Sequence, residues 1–418
     1  MEKVKIGAHK FLRWSEKYTK TDMVYLAKGG SWFALGSAVT MLSAFILGIT
    51  FASLIPKEVY GTYKYIISLS GIFGAFALTG LGTAVTQSVA RGFDGVLKKA
   101  FSVNLRWSFG IIASTIIGSL YYFLRGNMLL SLSILVIGAF LPFLNSANFY
   151  TGFLAGKKDF RRLNTFGMFR SFIPMVVLIA TLLFTHDVLS IIIAYFAAHT
   201  FTTLLFYFFT TKKIPENATV DPHFFHYSKH LSIMNIIGAT AGQLDNVLVY
   251  HFFGPAQLAI YYFATAIPDQ LKGPLKGLNS LILPKFAERS SAEIHSSIKR
   301  KILLLFGAMS LVVMAYIAIA PLLYDLFFPQ YSQSIAYSQI YALSFFGVAF
   351  SPIGIFFTAK KKIREQYWGN IITPIFKIGA MIICLFYWGI WGLIAARIIV
   401  QFFAGGLNLY LYRKSLVN

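Results

Sequence analysis

Residues 29–54 read GGSWFALGSAVTMLSAFILGITFASL, a run without one charged side chain. It exceeds the roughly 20 apolar residues that one helix needs to cross a bilayer. Working outward, further runs of the same kind lie near 62–90, 104–124, 128–156, 166–185, 188–211, 229–253, 257–283, 300–320, 333–358, 368–388 and 391–412. Of the 418 residues, 57% are hydrophobic and only 12% charged, and mean hydropathy is +0.66. A soluble domain of that length needs far more charged surface, so lipid is the solvent for most of the chain. Backbone inside lipid must satisfy its own hydrogen bonds, which makes each run a helix. The sequence therefore predicts an all-α polytopic membrane protein with about twelve transmembrane helices.

The net charge of +22, from 37 Lys and Arg against 15 Asp and Glu, first suggests a nucleic-acid partner. Its distribution argues otherwise. Basic residues gather in alternate loops: Lys98 and Lys99, Lys157 to Arg162, Lys212 and Lys213, Lys299 to Lys301, Lys360 to Arg364, and Arg413 with Lys414. The opposite loops hold only Lys57 and Arg125. By the positive-inside rule both termini are cytoplasmic, and no nucleic acid is needed to explain the charge. Residues 1–28 lack the apolar core of a cleavable signal. Instead Val4, Ala8, Phe11, Leu12 and Tyr18 recur at helical spacing opposite Lys10, Arg13, Lys17 and Lys20. That pattern predicts a basic amphipathic helix on the membrane lipids, with a solvated tail as the plainer alternative. The single cysteine, Cys384, excludes an internal disulfide framework.

The polar stretch 212–228, KKIPENATVDPHFFHYS, divides the chain into six spans plus six. The expected organisation is an N-terminal lobe over 29–211, a cytoplasmic linker over 212–228 and a C-terminal lobe over 229–418. The halves echo each other: Pro56 and Tyr63 before the second span match Pro255 and Tyr262 before the eighth, at the same offset. Such repeats place a substrate path between two lobes. The stretch FASLIPKEVYGTYKYIISLSGIFGAFALTGLGTAVTQSVAR, residues 51–91, resembles the signature of bacterial polysaccharide-biosynthesis flippases, the Wzx-type oligosaccharide flippases. Leu244 to Val249, Phe253-Gly254-Pro255 and Tyr261 repeat the theme in the second half, although Ile260 stands where that motif has Gly. The resemblance implies the superfamily of multidrug exporters and the lipid II flippase. It further implies a bacterial inner membrane, a lipid-linked oligosaccharide as cargo, and no cofactor. A single chain is the expected working unit.

Ionisable groups inside spans are costly and usually face a cavity or a partner. Here they are Asp245, Asp269, Lys272, Lys276, Lys377 and Arg397. Asp269, Lys272 and Lys276 fall on one helix face, among Pro268, Gly273, Pro274 and Gly277, so a broken polar helix lining a water-filled path is expected. An Asp269–Lys272 pair that neutralises itself is the alternative. Lys377 lies roughly 16 Å along its helix from the outer end of its span, and Arg397 roughly 9 Å. For both, snorkelling competes with a place in the cavity, more seriously for Arg397. Four cations against two acids suit an anionic cargo such as a polyprenyl diphosphate. Lys272, Lys276, Lys377 and Arg397 are thus the candidate substrate ligands. Asp245 and Asp269 are candidates for coupling to H+ or Na+, or are counter-ions for the lysines. In the first half, Asn145, Asn148 and His199 are neutral polar groups suited to sugar hydroxyls or to inter-helix hydrogen bonds.

No enzyme constellation appears. Residues 152–158, GFLAGKK, have the wrong spacing for a phosphate loop and lack its hydroxyl, and the metalloprotease and nucleophile-elbow motifs are absent. The acids expected on the outer side, Glu58, Asp187 and Asp325, sit in separate short loops. These features disfavour a membrane glycan polymerase or ligase, and the cation excess disfavours an exporter of cationic drugs. The expected activity is alternating access, with 1–215 rocking against 216–418.

Overall fold

The computed structural model describes residues 23–215, 217–222, 224–288, 291–360 and 362–417. Most of the amphipathic segment expected over 1–28 lies outside the described residues. Among those described, α-helices and short 3-10 turns make up the architecture. The first half contains α1 (Met23–Leu54), α2 (Lys57–Gly74), α3 (Leu81–Ala90), α4 (Val96–Trp107), α5 (Phe109–Leu124), α6 (Met128–Ala147), α7 (Phe149–Gly156), α8 (Phe160–Phe184) and α9 (Val188–Thr211). The second half contains α10 (Phe224–Phe253), α11 (Pro255–Glu288), α12 (Ser291–Phe327), α13 (Ser334–Tyr341), α14 (Ser351–Ala359) and α15 (Ile363–Val417).

Each of the twelve expected spans falls on this set, six before the linker and six after. The pairs α2–α3, α4–α5 and α6–α7 each form one crossing in two segments. A fourth compound crossing runs from α13 through a 3-10 stretch, Ala342–Phe350, into α14. The long α15 is a hairpin of two crossings bent at Gly389, whose φ of 56° suits a residue without Cβ. The linker is shorter than expected, because α10 begins at Phe224.

Composition alone identifies eight described stretches able to cross a membrane, the last being the α15 hairpin. The crossings that fall short are α2–α3, α10 and α11. These three pack against one another where the two halves meet. Each also borders a cavity, which accommodates its polar residues.

The second crossing is broken where a continuous helix was expected. Residues 75–80 leave the helix, and the amides there bond to distant side chains: Leu78 N–H donates to Asn104 Oδ1 at 3.2 Å and Gly80 N–H to Ser232 Oγ at 2.9 Å. Irregular backbone at membrane depth survives only with such partners. By contrast, α11 runs through Pro268 and Pro274 as one helix, against the expected break. A proline removes one helical hydrogen bond, and membrane helices absorb that loss.

The lobes close on each other at the end that carries the Pro56 and Pro255 turns. Tyr60 stacks on Phe263 with centroids 5.0 Å apart, Lys64 sits 4.0 Å from the Tyr262 ring centre, and Phe45 meets Phe327 edge-on at 5.1 Å. At Gly61 a Cβ would lie 1.8 Å from the Pro255 carbonyl oxygen, so the backbones touch. Near the same end, Tyr65 bonds to Tyr122 and lies 3.0 Å from His251 Nε2. At the opposite end, Asp221 of the linker is buried, pairs with Arg91 and accepts from Ser88 Oγ at 2.7 Å. This fastens the linker to the first lobe.

Candidate functional site: an ionic cluster in the second lobe

Three crossings bring their charges together in the second lobe. Asp245 comes from the middle of α10, Asp269 and Lys272 from α11, and Arg397 from the second limb of α15. Arg397 bridges both acids: Nη2 donates to Asp269 Oδ2 at 2.8 Å, and Nη1 lies 3.3 Å from Asp245 Oδ2. Tyr261 O–H donates to Asp245 Oδ2 at 2.9 Å. Lys272 Nζ donates to Asp269 Oδ1 at 2.8 Å and to Ser344 Oγ at 2.6 Å. Tyr341 O–H also donates to Asp269 Oδ1, at 2.8 Å, and its ring lies under both cations, 4.5 Å from Lys272 and 4.7 Å from Arg397. Tyr341 and Ser344 stand where α13 tightens into the 3-10 stretch. That local winding turns both hydroxyls toward α11.

Two acids and two cations cancel. The side chains of Asp245 and Lys272 are 2% and 7% exposed, while those of Asp269 and Arg397 are 38% and 21% exposed. Asp269 and Arg397 therefore reach the adjoining cavity of about 320 Å³, which Asn246, Thr265 and Gln270 also line. Asp245 touches that cavity too, and its Oδ1 is buried without a hydrogen-bond partner. Lys272 does not line it; its ammonium is spent on Asp269, Ser344 and Tyr341.

Of the sequence-derived candidates, the structure thus assembles Asp245, Asp269, Lys272 and Arg397. Lys377, on the first limb of α15, feels the charges of Asp245, Arg397 and Asp269 but has no ion-pair or hydrogen-bond partner among the described residues. The side chain of Lys276 lies outside the described residues. Sequence reasoning missed Tyr261, Tyr341 and Ser344, whose types are ordinary in membrane helices. The structure places Arg170 inside α8, with Nη1 donating to Asn148 Oδ1 at 2.5 Å. Asn148 therefore makes the inter-helix bond that was one of its two readings. His199 packs on Tyr195 with centroids 4.4 Å apart.

A second, larger cavity of about 830 Å³ opens toward the linker end between α10, α14 and both limbs of α15. Gln366, Asn370 and Thr373 line it from the first limb and Asn408 from the second. The first three continue at helical spacing into Lys377.

The fold is shared with transporters of known structure. An inward-facing multidrug resistance transporter of the MATE family, in the MOP superfamily, superposes with a TM-score of 0.71 at 15% identity, over 90% of this chain and 94% of that one. The lipid II flippase MurJ, in an inward closed conformation, gives 0.67 at 14% identity, over 90% and 86%. A MOP superfamily transporter from Pyrococcus furiosus, described as having a binding pocket of reverse polarity, gives 0.61 at 16% identity, over 91% and 93%. No curated protein matches the chain by sequence. A family model described as "Polysaccharide biosynthesis protein" matches residues 50–299, more than half the chain and all three interface crossings. The resemblance in 51–91 is thereby extended through α10 and α11, and the chain belongs to this polysaccharide biosynthesis family of multi-pass membrane proteins.

Proposed function

We propose that the chain is a flippase that moves a polyprenyl-diphosphate-linked oligosaccharide from the cytoplasmic to the outer leaflet by alternating access. The basic loops put the linker end at the cytoplasm and the Pro56 and Pro255 turns outside, in a bacterial inner membrane. The arrangement then closes the outer side and leaves the larger cavity toward the cytoplasm. The observation that carries the reading is Lys377: a lysine within a membrane crossing, beside a balanced cluster, with no acid bound to it among the described residues. An unmatched charge at that depth needs a partner, and a diphosphate supplies one through charge-assisted hydrogen bonds.

Arg397 is the second candidate ligand. It is held by Asp245 and Asp269 and reaches the cavity, so weakening its hold on either acid would free it for phosphate oxygens. Protonation of Asp245, or a Na+ on its unpartnered Oδ1, would do this and tie the cargo to an ion gradient. Lys272 acts at one remove, by fixing Asp269. A cationic drug would have to displace Arg397 from both acids or Lys272 from Asp269, which disfavours the exporter reading.

The test is reconstitution in liposomes with a lipid-diphosphate oligosaccharide and a leaflet-protection readout. Wild type should transport, and Lys377→Ala should lose most of the rate while keeping its thermal midpoint. Transport of a cationic dye and none of the lipid would overturn the reading.

A further inference from the structure

The larger cavity has a chemistry of its own. Among the described residues its walls carry no ionisable side chain: Asn235, Asn370, Asn408 and Gln366 present amides, Thr358 and Thr373 hydroxyls. At about 830 Å³ it is the size of an ordinary small-molecule site. The amides of Gln366, Asn370 and Asn408 make no side-chain hydrogen bond to any described residue. Gly238 and Gly354 also line it, and a Cβ at either would meet nothing within 4 Å. The walls therefore combine bare backbone at these glycines with the uncommitted amides of Gln366, Asn370 and Asn408, among apolar residues such as Phe357 and Pro374.

Each amide offers two donors and an acceptor, the complement of a sugar hydroxyl or acetamido group. A carboxylate placed there would be desolvated with no cation beside it. From Gln366 the polar face of α15 runs through Asn370 and Thr373 to Lys377, roughly 16 Å along the helix. A ligand in the cavity can therefore extend toward that lysine.

We infer that this cavity is a binding site for neutral sugars of the cargo, an amide-lined vestibule that selects hydroxyl- and acetamido-bearing rings and rejects uronic acids. The inference rests on the flippase reading and adds to it the chemical class of the glycan. From the first lobe Thr79 also lines the cavity, accepting a hydrogen bond from Asn235 Nδ2 at 3.2 Å. A sugar that takes up Asn235 breaks this link between the lobes.

The experiment measures binding of three probes to the full chain in lipid nanodiscs: bare polyprenyl diphosphate, the same lipid carrying one N-acetylhexosamine, and the same lipid carrying one uronic acid. The N-acetylhexosamine lipid should bind about tenfold more tightly than the bare lipid, as one or two net amide–sugar hydrogen bonds imply. The uronic acid lipid should gain nothing. In Asn370→Leu/Asn408→Leu the tenfold advantage should vanish while affinity for the bare lipid stays. Equal binding of all three lipids by wild type would overturn the vestibule and leave the flippase reading intact. Tightest binding of the uronic acid lipid would overturn it as well. Binding of none would overturn both. The wild-type comparison decides even where the double variant fails to fold.

Discussion

Replacing Gly61 by alanine should force the lobes apart at the turn end. The added Cβ would lie 1.8 Å from the Pro255 carbonyl oxygen and 2.5 Å from its carbon, and ordinary contact begins near 3.4 Å, so α2 and α11 must part by about 1.6 Å. Both obstacles are backbone, and no rotamer relieves them. Overpacking of this kind costs about 1–3 kcal/mol. Borne by the closed arrangement alone, that shifts the equilibrium toward an open turn end by roughly 5- to 150-fold. The assay is a distance distribution between spin labels at Glu58→Cys and Ser332→Cys, both exposed near this seal, in a Cys384→Ser background in nanodiscs. Wild type should show one short population; Gly61→Ala should add or favour a longer one, and Gly61→Val more so. An unchanged distribution with an unchanged thermal midpoint would refute the claim that backbone contact at Gly61 sets the seal.

Other outcomes follow from the cluster and the caps. Arg397→Leu leaves Asp245 and Asp269 without their shared partner and should cost about 3–5 kcal/mol, read as a lowered unfolding midpoint in detergent. Arg397→Lys should recover only part, because one ammonium does not span both carboxylates as the guanidinium fork does. Tyr341→Phe keeps the ring under Arg397 but removes the hydrogen bond to Asp269, and should cost about 1.5–3 kcal/mol on the same measurement. Asp187 caps α9 through Ser190 N–H at 2.8 Å, and that bond holds its carboxyl below the usual carboxylate range. Its contribution is therefore present above the unfolded value near pH 4 and fades as pH falls through the lowered one. Asp187→Ala should remove about 1 kcal/mol at neutral pH and flatten that acid-side fall in a pH series of unfolding midpoints.

Much of the architecture was legible because lipid leaves the chain few choices. Runs such as 29–54 can only be helices, and even the hairpin at Gly389 was visible as two apolar runs with a gap. The break at 75–80 was not. It depends on Asn104 and Ser232 arriving from other crossings, and Thr79-Gly80 looks no different from tolerated helix. The prolines of α11 misled in the opposite sense, since a proline signals a lost bond but not whether the helix bends around it. At the site, the ionisable residues stood out by their cost in lipid. Their pairing did not, because Asp245 and Arg397 lie 152 positions apart in the chain. The vestibule amides carried a readable signal that went unused: Gln366, Asn370, Thr373 and Lys377 share one helix face. Neutral polar residues draw less attention than charges, although here they line the larger space.

The cancellation of charge in the second lobe has a consequence for membrane voltage. A unit charge that crosses the full potential changes energy by about 2.3 kcal/mol per 100 mV. Asp245, Asp269, Lys272 and Arg397 sum to zero, so the electric field exerts no net force on them as a group when the lobe tilts. Lys377 is the charge beside them that the field can pull. With the linker end at the cytoplasm and the site empty, as proposed, an inside-negative voltage draws this lysine inward and favours the arrangement open to the linker end. Loaded with the proposed diphosphate as a dianion, the same region carries net negative charge and is pushed outward. On the flippase reading, Lys377 beside a neutral cluster thus lets the resting potential drive both the return of the empty carrier and the forward step of the full one.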